Sequence, residues 1–109
     1  MSKAKYIYRG DSIEYVNATN ADIEYGSVVS LGTRIGIAGG NIPAGEVGAL
    51  HIVGVFELPK AASVEIAQGA AVYFNTKNGN VTTTDTDVPC GWAVAAAGSA
   101  GTTVAVKIG

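Results

Sequence analysis

The sequence predicts an all-β chain: a small barrel or sandwich with glycine-rich turns, an N-terminal arm and at most one short helix. Three observations carry this reading. Short runs of β-branched and aromatic residues recur along the whole length, bounded by Gly, Asn, Asp or Pro. Fifteen glycines in 109 residues supply turn positions. Within the runs, apolar residues repeat with the period of two that a pleated strand imposes.

Taken in order, Tyr6-Ile7-Tyr8 reads as a short strand, Gly10-Asp11 as a turn, and Ser12 to Val16 as a second strand with Ile13 and Tyr15 on one side. Asn17 to Asp22 is a polar loop. Gly26 to Leu31 and Arg34 to Ala38 are strands joined by Gly32-Thr33, with Ile35 and Ile37 sharing a face, and Gly39 to Gly45 is loop chemistry throughout. The run from Val47 to Lys60 is too short for a membrane helix and reads as one central strand stopped at Pro59. Leu50, Ile52 and Phe56 fall on one of its faces and Val53 and Val55 on the other. Both faces therefore want cover, from a closed barrel or from a partner.

Beyond Pro59, Ala61 to Ala67 is the single helical candidate, ended by Gln68-Gly69. Ala71 to Asn75 and Asn80 to Thr84 flank Thr76-Lys77-Asn78-Gly79, and Asn-Gly between β-formers signals a hairpin. Asp85 to Asp87 is a solvated loop. Trp92 to Ala97 and Thr102 to Ile108 alternate about the turn at Gly98 to Gly101 and form a closing hairpin, with Trp92 read as core. Residues 1–25 then form an arm with edge strands and residues 26–109 the body, within one domain.

Composition narrows the function. Net charge −2 offers no footprint for nucleic acid or an anionic membrane. The Met1 to Lys5 start is followed by no apolar core of a leader, so the chain is expected to be made and kept in the cytosol unless it leaves by lysis or inside a particle. Hydrophobic residues make up 48% and charged residues 15%, lean in charge for a soluble monomer, which suggests surface that meets protein.

The search for chemistry returns little. His51 is the only histidine, set among apolar strand residues, and reads as structural. Cys90 is alone and reads as a buried small residue. The carboxylate pairs Asp22/Glu24 and Asp85/Asp87 are loop solvation, and no metal-ligand spacing or phosphate-binding glycine fingerprint occurs. No catalytic residue, metal, cofactor or small-molecule substrate is expected. What stands out is the first 25 residues, with seven of the sixteen charges and four of the five tyrosines. Tyrosine buries much area at small entropic cost, so Tyr6, Tyr8, Arg9 and Tyr15 are the candidate partner-binding residues.

The run Gly54-Val55-Phe56-Glu57-Leu58-Pro59-Lys60, with Ala44-Gly45-Glu46, Val72-Tyr73, Gly79-Asn80-Val81-Thr82-Thr83, Gly91 and Ala93 to Gly98, resembles the phage capsid cement family of head-decoration proteins, formerly filed as a domain of unknown function. Gly10-Asp11 with Ile13, and Gly26 with Val28-Val29, extend the resemblance over nearly the whole chain. It implies a non-enzymatic virion protein of a tailed phage or prophage, bound to the major capsid protein on the outer face of the head. Excess apolar surface predicts a homotrimer, with Ala93, Ala95, Ala97, Val53 and Val55 at the subunit contact. The alternative is another virion β-module, a tail or fibre component binding carbohydrate or protein.

Overall fold

The computed structural model describes residues 2–109 as two packed antiparallel sheets, a β-sandwich, with no helix among the described residues. Sheet 1 contains β1 (Ser12–Val16), β2 (Val28–Ser30), β3 (Ile35–Ala38) and β4 (Val47–His51) in the order β1-β4-β3-β2. Sheet 2 contains β5 (Gly54–Pro59), β6 (Ala71–Asn75), β7 (Asn80–Thr82), β8 (Val88–Ala93) and β9 (Thr103–Ile108) in the order β5-β9-β8-β6-β7. The two edges of sheet 2 meet at one point, where Lys60 bridges Val81 and Ala61 N donates to Val81 O.

The expected central strand is two strands. Its chain leaves sheet 1 after His51, passes through Ile52-Val53 and enters sheet 2 at Gly54, whose φ of 134° only glycine adopts without strain. Each half thus has its own environment: Leu50 and Leu58 are buried, whereas Val47, Val53 and Val55 are exposed. The two apolar faces inferred from the sequence arise because one run serves two sheets.

The main core lies between the sheets. Ile35 and Ile37 of sheet 1 meet Leu58, Val72, Phe74, Val81, Val104, Val106 and Ile108 of sheet 2. A smaller cluster covers the opposite face of sheet 1, where Val29, Ala38 and Leu50 pack under Ile42, with Ile13, Tyr15 and Ile23 around them. Every residue of β3 is consequently buried. Ile42 sits directly over Gly48, where a Cβ would stand 2.4 Å from Ile42 Cγ1, so this face is closed by a loop only because a glycine lies beneath it. The polar loop after β1 is anchored inward: Asn17 is fully buried, and its amide donates to Ala21 O and Ile42 O while its carbonyl accepts from Thr19 N and Oγ1.

Three further expectations are corrected. Ala61 to Ala67 is not helical; Ser63 takes φ 63°, and Ile66 exchanges hydrogen bonds with Ala97 in an isolated bridge. Pairing with the connection between β8 and β9 supplies backbone bonds that a helix would have made locally. Tyr6-Ile7-Tyr8 forms no strand.

The strand expected from Trp92 lies earlier, at Val88–Ala93. It tolerates the exposed Pro89, which stands where the β6–β8 register shifts between Val72 and Tyr73. This bulge, with Gly91 at φ 126°, inverts the alternation. Cys90 and Ala93 both face the core, three residues apart, and Trp92 faces out at 45% exposure. Trp92 is therefore not a core residue.

Candidate partner-binding site

Three surfaces are built by this fold. The first is the N-terminal segment. Residues 2–10 run outside the body, with Tyr6 81%, Ile7 78% and Tyr8 58% exposed, and make no hydrogen bond to it among the described residues. Arg9 pairs only with its neighbour Asp11, Nε to Oδ2 at 3.3 Å, and Tyr15 is half-buried on β1 over the smaller cluster. Of the four tyrosine and arginine positions singled out from composition, three thus lie on the free segment and one packs on the body. β1 is the edge strand of sheet 1, paired with β4 on one side only, so its outer N–H and C=O groups are available to another chain.

The second surface is the outer face of sheet 2. Pairing places Val55, Lys107, Trp92 and Ala71 in one row across β5, β9, β8 and β6. Val55 and Val53 are exposed, as is Ala95 beyond the end of β8, but Ala93 and Ala97 fill the chain's own core. Three of the five positions named for a subunit contact therefore remain at the surface. Trp92 joins them, and the signal for its exposure in the sequence is the isolated strand glycine Gly91, the mark of a bulge.

The third surface is a cleft of about 340 Å³ between the sheets, lined by Ile35, Ile52, Val53, Pro89 and Ile108 with Arg34 at its rim. It lies beside the root of the arm, because Ile52 N donates to Asp11 O at 3.0 Å. Arg34 is exposed, and the sole ion pair among the described residues is Arg9–Asp11.

Cys90 also lines the cleft, and the other groups that would suggest reaction chemistry lie elsewhere. His51 ends β4 at the surface instead of lying within a longer strand, and its ring stacks near Phe56 with centroids 6.4 Å apart. Burial in the core pushes the Cys90 thiol up to about 12, away from the reactive thiolate. Lys60 is buried and its ammonium donates to the carbonyls of Ala61 and Val64. Asp87 accepts from the Thr82 hydroxyl at 2.6 Å. No group of three or more His, Cys, Asp or Glu with metal-binding geometry occurs among the described residues.

A protein-family model described as phage cement protein matches residues 7–108. The chain belongs to the phage cement protein family. No curated protein and no solved structure matches it. Cement proteins are structural components associated with the phage capsid, and the surfaces described above are those of a member of that family. The match begins at Ile7, so it includes all of β1 with Tyr8 and Arg9 of the arm but not Lys3, Lys5 or Tyr6.

Proposed function

We propose that this cement-family chain decorates the outer surface of a tailed-phage or prophage head by binding the lattice of the major coat protein, with its N-terminal segment as the principal contact. The observation that carries this reading is the segment 2–10: aromatic, exposed, without a hydrogen bond to the body, and set beside an unpaired strand edge. A free extended segment and a free edge are the two halves of strand addition, in which main-chain bonds give affinity and alternate side chains give selectivity. A chain that binds only the assembled lattice stabilises it by mass action, with no chemistry required.

Self-association supports the same role. Val53, Val55, Ala95 and Trp92 are the apolar groups left exposed near the β5–β8 side, and a trimer burying them would multiply each lattice contact through effective concentration. The exposed Trp92 also bears on the carbohydrate-binding alternative. Its row neighbours Val55, Lys107 and Ala71 bring neither carboxylate nor amide, which favours a protein contact over a sugar platform.

Removal of residues 2–9 tests the assignment. The shortened chain should keep its cooperative thermal transition and its trimeric mass in light scattering, because β1 begins only at Ser12, yet fail to sediment with expanded heads. Undiminished sedimentation would refute the arm contact.

A further inference from the structure

The cleft beside the arm is not accounted for by strand addition, and its chemistry is specific. Its floor is aliphatic, from Ile35, Ile52 and Ile108, and the one charged side chain lining it is Arg34. That guanidinium sits on the turn between β2 and β3, exposed, and the only ion pair among the described residues lies elsewhere, between Arg9 and Asp11. The arm that leaves from the same place adds Lys3, Lys5 and Arg9 with no carboxylate before Asp11, and Asp11 is already engaged by Arg9. Although the whole chain carries −2, the side-chain charge at the cleft is positive, and so is that of the arm rooted beside it at Asp11.

We infer that this cleft receives an acidic extended segment of the coat protein, seating one aliphatic side chain between the sheets and a neighbouring carboxylate on Arg34. The inference rests on the proposed attachment to the head and names the chemistry of the segment recognised. Arginine suits the role because its planar fork takes a carboxylate through two parallel hydrogen bonds. The aliphatic floor excludes water around that pair and so strengthens it. The cleft is open and already formed, so binding needs no rearrangement of either sheet. A nucleic acid could use the same cations, but it would leave the aliphatic floor unfilled, and the chain's net negative charge opposes it.

The test uses the full-length chain and Arg34→Ala, Arg34→Lys and Arg34→Glu, each labelled and sedimented with expanded heads at low and at moderate salt. Arg34 is exposed, so all three should melt at the wild-type temperature. Expected are attachment about 10-fold weaker for Arg34→Ala, about 100-fold weaker for Arg34→Glu, and partial retention for Arg34→Lys, which keeps the charge but loses the fork. Arg34→Glu attaching as tightly as wild type would overturn the cleft assignment while leaving head binding intact. Wild-type chain that fails to attach at all would remove the head-binding reading and this inference with it. Binding to duplex DNA that is lost in Arg34→Glu would replace the acidic protein segment with nucleic acid.

Discussion

The two sheets solve the burial problem differently. Sheet 2 is one-sided: Leu58, Val72, Phe74, Val104, Val106 and Ile108 point into the core, and the residues between them face out. Sheet 1 is two-sided along β3, covered by sheet 2 on one face and by Ile23 and Ile42 of its own loops on the other, whereas β1 and β4 keep Glu14, Val16, Val47 and Ala49 exposed. The one-sided sheet needs only alternation and so leaves a free outer face, the row through Val55, Lys107 and Trp92. The two-sided part needs close approach, which Gly48 and the buried Asn17 provide, and the free surface of this sheet lies at its β1 and β2 edges and on the exposed residues of β1 and β4. Surfaces for a partner are thus placed where each kind of packing stops.

The sharpest way to break the one-sided sheet is at its bulge. A Cβ on Gly91 would lie 2.0 Å from the backbone carbonyl oxygen of Lys107, at a φ that L-residues rarely take. Backbone cannot yield as a side-chain tip can, so Gly91→Ala should cost more than about 4 kcal/mol and leave the chain largely insoluble. Soluble protein with a wild-type urea midpoint would show that the bulge is not a requirement of the fold.

For the two-sided sheet the expected effects are smaller and coupled. Ile42→Ala should cost about 2–5 kcal/mol, and Gly48→Ala about 1–3 kcal/mol by overpacking against the same isoleucine. In the double variant the new methyl occupies space that Ile42 has vacated, so the combined loss should be smaller than the sum. Strict additivity in urea unfolding would separate the two residues and remove the account of how a loop closes that face.

The mildest probe compares the core at high pH. The folded-state pKa of Cys90, about 12, lies above its ordinary value of 9.0 because burial disfavours the thiolate. Above pH 9 the unfolded chain loses this proton while the folded chain keeps it. Stability should therefore fall by up to about 1.4 kcal/mol per pH unit between these values, and be unaffected below pH 8. The difference in urea-midpoint slope between wild type and Cys90→Ala isolates this group from lysines and tyrosines titrating nearby. Equal slopes would place the thiol in contact with water.

Much of the architecture is legible in the residues. The hairpin about Asn78-Gly79, the strands at Ile35 and Val104, the buried Cys90 and the exposed tyrosine-rich start all follow from local chemistry, namely turn propensity, period two and burial preference. The family resemblance, read from the Gly54 to Lys60 run, agrees with the match over residues 7–108. Less legible was the candidate site. Arm exposure could be anticipated from composition, but the Arg34 cleft joins residues 33–35, 52–53, 89–91 and 108–109, which no sequence spacing relates.

Alternation alone determined that the chain is built from strands, because each residue carries its own side chain to one face or the other. Which face is inside, and in which sheet, was decided only by the assembled structure. The phase of a period-two pattern is reset by a single inserted residue, as at Cys90-Gly91, where Trp92 turns outward and Ala93 inward. The apolar run through Val47 and Pro59 is likewise divided at Gly54, since a glycine that permits a sharp crossover imposes one only when two sheets compete for its flanks.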